Sequence, residues 1–474
     1  MSQASGSAPD ETLAPKASRT KLIAIVIAIV VALVAVAAAA VFYLGLGRNP
    51  CTAPATMVAD VSSEGGGSHQ TASSPTDRAR PAESRVSPTQ AGTITVGFSI
   101  SLTGKYTVEG TNSLRGLNTT EYWINTNGGI TVGGQTYNVQ LRYYDDQSDG
   151  QNIQTLYSTL VQQDGAEFLL APYSTALTTT AAPYADQFDR VMLSHGGAAD
   201  TIWTSTQRTN LVQVLSPASA YLKGSVDWLK ANHPTDRIAV IHESDSFSTL
   251  ASQSALDYAK SLGLNVVYNA SYTTGTADLS TQLNAARLAC ADALIGGGHF
   301  NDGLLIMNQL KTIWTPKFVS ILVAVTEPSF QSQLQASANR VVGPSQWESR
   351  VTYSPTLAQS RGLGWYGPTP AEFTQLYGAL NAGASPSYHS AEAGAALIVL
   401  AKAIQTANSL STASVRAALG SMHIMTFFGE YQIDSRGLQV AHSMILIQWQ
   451  SAVLKIVQPQ DVAESPIQYP YTGS

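Results

Sequence analysis

Charge is what this sequence has least of. Only 12% of its 474 residues are Asp, Glu, Lys or Arg, against about 25% in ordinary soluble domains. Its surface must therefore be solvated mostly by neutral polar groups. The charged residues it has are 26 basic against 32 acidic, a net −6, and with no basic field nucleic-acid binding is excluded as a class. Cysteine is scarcer still. Cys51 and Cys290 are the only two, too few for a disulfide scaffold or a Cys-based zinc cluster. The length allows two or three compact units with sizeable cores.

The scarcity of charge is uneven along the chain. Residues 22–47 (LIAIVIAIVVALVAVAAAAVFYLGLG) contain none. As a helix rising about 1.5 Å per residue they reach about 39 Å, enough to cross a hydrocarbon core of about 30 Å with some tilt. The stretch is longer than the apolar part of a cleaved signal peptide, about 7–15 residues. Lys16, Arg19 and Lys21 precede it and Arg48 stands alone after it. The positive-inside tendency predicts residues 1–21 in the cytoplasm, a single-pass membrane anchor over 22–47, and the remainder outside the cell. A removable secretion or pilin-like signal is the alternative. Arg48-Asn49-Pro50 before Cys51 lacks the small residues of a lipidation signal.

Residues 52–92 draw 27 of 41 positions from Ser, Thr, Pro, Gly and Ala and hold no aromatic. Such a segment cannot bury enough apolar surface to offset its ordering entropy. Residues 48–92 are therefore expected to form a disordered stalk, with a coil reach of about 35 Å. Removing the seven basic and six acidic residues before Thr93 leaves 19 against 26, a net −7, for residues 93–474. The poverty of charge belongs to this outer domain as well as to the anchor, and it favours neutral or zwitterionic solutes over polyanions.

From Thr93 apolar runs alternate with amphipathic stretches. Strands are predicted over 93–101, 135–145, 167–171, 191–194 and 211–215, with helices over 110–127, 151–164 and up to Phe188. The rhythm restarts with strands at 237–242, 264–272, 293–295 and 318–322, and helices at 218–232, 247–262, 278–289 and 300–313. Helices at 371–382 and 390–407 follow, then a hairpin of 427–433 and 441–450 turning at residues 434–437. This β-α-β-α order predicts an α/β fold of two doubly wound, Rossmann-like lobes, preceded by one transmembrane helix. Open sheets of this kind bind ligands at the carboxyl ends of their strands, so two facing lobes make a cleft that can close by a hinge.

Enzyme motifs fail on inspection. Residues 362–367 (GLGWYG) match the dinucleotide fingerprint but follow no predicted strand, and Pro368 and Pro370 come directly after. Leu102-Thr103-Gly104-Lys105 sits where a phosphate loop would, yet Ser99 and Tyr106 occupy positions requiring Gly and Ser or Thr. His195-Gly196-Gly197 has no G-x-S-x-G elbow to accompany it; residues 343–347 and 383–387 both miss the last Gly. His242-Glu243 lacks a second His at zinc spacing. No catalytic residue, metal or cofactor is expected. What remains are small, polar, Gly-rich turns at strand ends: Ser174-Thr175, residues 195–198, residues 244–247, and Gly296-Gly297-Gly298-His299. Each reads equally well as an ordinary helix N-cap. Their recurrence along one edge in both halves favours a ligand cleft.

At these residues the chain resembles the extracytoplasmic solute-binding proteins of branched-chain amino-acid-type ABC importers, which have the type I periplasmic-binding-protein fold. The likeness runs from Thr93 to about Pro459. It rests on Val96-Gly97-Phe98 with residues 101–104, residues 123–130 (WINTNGGI), Tyr143-Tyr144-Asp145-Asp146, residues 168–175 (FLLAPYST), residues 195–203 (HGGAADTIW) and the turn at 428–437. The resemblance implies a three-stranded hinge, with one lobe of about 93–214 and 346–428 and another of about 215–345 and 429–460. It implies that Ser174 or Thr175 holds a solute carboxylate and that Gly196, Gly197 and Ala198 supply backbone groups. Phe247 is then the aromatic that closes from the second lobe, with Gly298 or His299 and Tyr388 or His389 at the other aromatic positions. Tyr106 and Glu109, from the first βα loop, complete the candidate set.

Two departures stand out. The family's ammonium-binding threonine falls on Ala198, and its acidic residue on Val323 or Ala324. With neither oxygen present a zwitterion leaves its cation poorly paired, which argues against leucine or isoleucine. Glu109 is read either as a substitute carboxylate or as a solvated helix-start residue. The expected function is capture of a small polar solute (amino acid, amide, urea or short peptide) for an ABC permease, with the lipid bilayer as the anchor's partner. The alternative is an extracellular sensor domain of the same fold. Asn118-Thr119-Thr120 and Asn269-Ala270-Ser271 fit glycosylation sequons.

Overall fold

The structure is a computed structural model that describes residues 90–473, except Asp461. The predicted anchor and most of the predicted stalk lie outside the described residues. Among the described residues, no single helix is long and apolar enough to cross a membrane.

The first sheet is built from β1 (Gln90–Ile100), β2 (Ile130–Val132), β3 (Gln135–Asp145), β4 (Phe168–Leu170), β5 (Met192–Ser194) and β6 (Leu211–Gln213). Their order is β2-β3-β1-β4-β5-β6, parallel throughout except for β2. Because β1 is central and the chain winds outward on both sides of it, the arrangement is doubly wound. β1 begins at Gln90, so the last three residues of the predicted stalk belong to a strand. Helices α1 (Thr107–Thr126), α2 (Gly150–Gln162), α3 (Thr175–Gln187) and α4 (Thr201–Thr204) connect these strands. Asp149 starts α2 by accepting the Gln151 N–H at 2.9 Å, an N-cap that satisfies one orphan donor.

The second lobe repeats the plan. It contains β7 (Ile238–Glu243), β8 (Val266–Tyr272), β9 (Ala293–Gly297), β10 (Phe318–Ile321) and β11 (Val342–Ser345), with α5 (Lys223–Asn232), α6 (Ser246–Ser261), α7 (Ser280–Leu288), α8 (Phe300–Ile313) and α9 (Pro328–Leu334). β7 is buried along its whole length. That explains its apolar run, because a parallel strand covered on both faces has no wet side.

The chain then returns to the first lobe through α10 (Pro355–Ser360), α11 (Pro370–Leu380), α12 (Tyr388–Ala407) and α13 (Thr412–Ser421). A small sheet of β12 (Gly364–Trp365), β13 (Ile424–Thr426) and β14 (Gly429–Tyr431) accompanies them. Gly364 and Trp365, read from sequence as loop, thus form a short strand on β13. β15 (Ile445–Gln450) and β16 (Val453–Gln458) finally extend the second sheet to β16-β15-β11-β10-β9-β7-β8.

The predicted hairpin of 427–433 with 441–450 does not form. Asp434 does organise a turn, accepting from the Arg436 and Leu438 N–H groups, and a single bridge joins Ile433 to Gln439. Beyond it the strands part: β14 pairs with β13, while β15 pairs with β11 and β16. This segment is the third passage between lobes, after those near residues 214–222 and 346–354. Side chains tie the three passages together. Gln346 and the Ser216 backbone bond in both directions, Ser216 Oγ meets His442 at 2.8 Å, and Gln439 donates to the Val214 carbonyl at 3.0 Å.

One close approach sets the cleft wall. A Cβ on Gly116 of α1 would lie 1.9 Å from the Ser390 carbonyl of α12. Only glycine lets the two helix backbones come this near, and their contact carries the first turns of α12 to the cleft.

Candidate functional site

The carboxyl ends of β4, β5, β7 and β9 all deliver their loops to the space between the sheets, and four helices point their N-termini at it. Those are α3 after Ser174, α6 after Asp245, α8 after His299 and α12 after Ser387. Each start presents the positive end of a helix dipole; at α6 Asp245 already accepts the Phe247 and Ser248 N–H groups, and at α8 Glu109 accepts that of Phe300. Between the four starts lies a small, tightly closed space lined by residues of both lobes.

Thr175, Gly196, Ala198, Phe247, His299 and Tyr388, all singled out in the sequence, line this cavity. The remaining candidates stand around it. Ser174 caps α3 with its buried hydroxyl unpartnered. Gly197 packs against Thr178, and Gly298 against Asp302 and Glu243. Tyr106 sets its ring edge-on to Tyr173 at 5.6 Å and to His299 at 4.8 Å. Val323 and Ala324 are buried among the apolar residues of the second lobe. Glu109 is not a solvated helix-start residue: it is fully buried, and Oε1 accepts the Phe300 N–H of α8 at 3.1 Å.

The glycine loop after β5 is already braced from within. Thr175 Oγ1 accepts the N–H groups of Ala198 and Ala199 at 3.1 and 3.2 Å, and Ser194 Oγ accepts that of Gly197 at 3.1 Å. The Thr175 hydroxyl proton therefore remains available to a bound oxygen, while the Gly197 and Ala198 amides are engaged.

The lobes are shut on each other through polar contacts. Tyr173 Oη meets His299 Nδ1 at 2.9 Å, Asn112 donates to Glu327 Oε2 at 2.8 Å, and His389 Nδ1 meets Glu327 Oε1 at 2.7 Å. The Lys105 ammonium pairs with Glu243. Glu243, Asp245 and His299 bring possible metal-ligand atoms within 4.8 Å of one another. The Lys105 ammonium already supplies this set with a cation. Burial pushes the Glu243 carboxyl up to about 7, with Asp245 and Asp302 adding to the shift and Lys105 opposing it. Burial works against charge on His299 too, but the Asp245 carboxylate outweighs it and holds the imidazole above its usual value.

Sequence reasoning missed Tyr173, Tyr221, Leu215 and Glu392, which complete the lining. Glu392 differs from every other acid near the cleft. It is fully buried on α12, and neither carboxylate oxygen has a partner. Burial, reinforced by Glu327, pushes its carboxyl well above the ordinary range. A signal existed: between Tyr388 and Leu400 it is the single charged residue of an otherwise small and apolar helix.

A family model described as periplasmic binding protein matches residues 93–453, most of the chain. The chain belongs to the periplasmic binding protein family. The likeness to branched-chain amino-acid-type members read from the sequence is thereby upheld, and family and fold are those of solute-binding proteins, not of enzymes. Among curated relatives, Leu/Ile/Val-binding protein homolog 7 of Brucella suis biovar 1 (strain 1330) is 26% identical over 238 residues, 49% of this chain and 58% of that protein. The match thus spans little more than half the relative's length. Among solved structures, the branched-chain amino acid transporter substrate binding protein LivJ from Streptococcus pneumoniae, in complex with isoleucine, superposes with a TM-score of 0.66 at 17% identity. It covers 80% of this chain and 100% of that one. An ABC transporter solute binding protein from R. palustris, in complex with 4-hydroxybenzoate, gives 0.61 at 17% identity, covering 80% and 96%. At such identities these structures establish the shared fold of this periplasmic binding protein.

Proposed function

We propose that this periplasmic binding protein is a membrane-tethered substrate-binding component of an ABC importer. It captures a small polar solute by closing its two lobes and presents it to a permease. Residues 22–47 are its anchor, the chain from residue 48 to β1 links that anchor to the lobes, and the binding domain faces outward. The observation that carries this reading is the cavity itself: an enclosed space walled by Thr175, Gly196 and Tyr388 from one lobe and Phe247 and His299 from the other. A cavity built from both lobes exists only when they are shut, so solute capture and closure are one event.

Thermal-shift screening of the purified protein against amino acids, amides, urea, short peptides and aromatic acids tests this. The expected result is stabilisation by members of one class, with the ligand recovered unchanged. A ligand returned chemically altered contradicts a pure binding role.

A further inference from the structure

We propose that Glu392 is the specificity-determining residue of the cleft and that its carboxylate receives a protonated nitrogen of the solute. The ligand is then an amine or ammonium compound rather than a neutral or anionic one. This rests on the binding function proposed above and names the chemistry that function selects.

The first support is the bare carboxylate. Glu392 lines the cavity, is fully buried, and has both oxygens without a hydrogen bond. A buried carboxylate is ordinarily paired, because the charge loses its hydration on burial. Neighbouring acids are committed differently: both oxygens of Glu327 are engaged, by Asn112 and His389, while Glu109, which does not line the cavity, spends Oε1 on the Phe300 N–H at the start of α8 and keeps only Oε2 without a partner. No lysine or arginine lines the cavity among the described residues, and the imidazole that does, His299, is committed to Asp245 and Tyr173.

The second support is the walls. Tyr173, Tyr221, Phe247 and Tyr388 surround the same space with aromatic rings. Tyr221 and Phe247 meet edge-to-face at 5.0 Å, so their ring faces are turned to different neighbours. Aromatic faces attract cations, and a box of rings completed by one carboxylate recognises a protonated or quaternary nitrogen. A neutral guest can offer the carboxylate a hydrogen bond but leaves its charge uncompensated, and an anionic guest is repelled. The opposite pole is built for an anion, since α3 starts there with the Ser174 hydroxyl unpartnered and that of Thr175 able to donate. Glu392 thus restores, from another helix, the acidic group missing at Val323 and Ala324.

The test uses matched probes. The twenty protein L-amino acids, putrescine and choline are each titrated beside a counterpart that lacks the cationic nitrogen: the des-amino acid, 1,4-butanediol and 3,3-dimethylbutan-1-ol. Calorimetry is run on the wild-type protein and on the Glu392→Gln and Glu392→Ala variants. In the wild type at least one amine binds more than tenfold tighter than its counterpart. Both variants reduce that ratio to about one while keeping the melting temperature of the empty protein at or above the wild-type value. A counterpart that binds as tightly as its amine, or a ratio untouched by Glu392→Gln, overturns the assignment and leaves the binding function standing. Absence of binding by every probe, together with no thermal shift in the broader solute screen, overturns both.

Discussion

The rim of the cleft and its centre are both buried and polar, yet they differ in one respect. At the rim every acid has found its partner: Glu243 has Lys105, Asp245 has His299, and Glu327 has Asn112 and His389. At the centre Glu392, Ser174 and both ring nitrogens of His195 have none. Burial and the neighbouring His389 lower His195 to about 3, so this imidazole is neutral and cannot serve as Glu392's counterion. A cleft that ties each of these edge acids to a neighbour, and leaves the acid at its centre with none, has divided two tasks. The rim holds the lobes together, and the centre waits for a guest.

The largest effect is expected from a change that moves the centre without touching the rim. Gly116→Ala places a methyl 1.9 Å from the Ser390 carbonyl and pushes α12 away from α1. A loss of about 4 kcal/mol in chemical denaturation is expected, with loss of solute binding. Glu327→Ala attacks the rim instead, leaving buried His389 and Asn112 unpaired. About 3 kcal/mol should be lost, while any bound solute keeps its preference for an amine.

The pH dependence sharpens the contrast further. Glu243 is held near 7, above its ordinary 4.5, so the folded protein keeps a proton that the unfolded chain releases. Its contribution is complete below about pH 4.5 and is lost as pH rises through about 7. Stability should therefore fall by about 2 kcal/mol between pH 5 and 8, and Glu243→Gln should flatten that slope. A slope unchanged by the substitution would remove Glu243 from the account. The smallest effect is expected at the centre of the empty protein. Glu392→Gln removes an unpaired carboxylate and should raise stability at pH 8 by about 1 kcal/mol.

Much of this was legible in the sequence, and the limits are instructive. The strand Gln135–Asp145 and the helix Phe300–Ile313 stand at the residues read from periodicity, because burial on sheet and helix faces imprints locally on the chain. The hairpin of 427–433 with 441–450 failed for the opposite reason. Asp434 fixes a turn by bonds to its own neighbours, but β14 turns straight back onto β13, and β15 takes as its partner β11, which lies far away in sequence. Thr175, Gly196 and Phe247 could be found because strand-end turns with N-cap chemistry mark a cleft edge. Glu392 left only a faint trace, one charge in a helix that otherwise reads as core, and only the structure shows that no partner reaches it.

The account stands or falls on what faces Glu392 when the cleft is loaded. A crystal structure of the protein with its tightest solute tests this most directly. The predicted result is a solute nitrogen within about 3 Å of a Glu392 carboxylate oxygen, inside the aromatic walls. A solute bound elsewhere, or one presenting oxygen or carbon to Glu392, contradicts it.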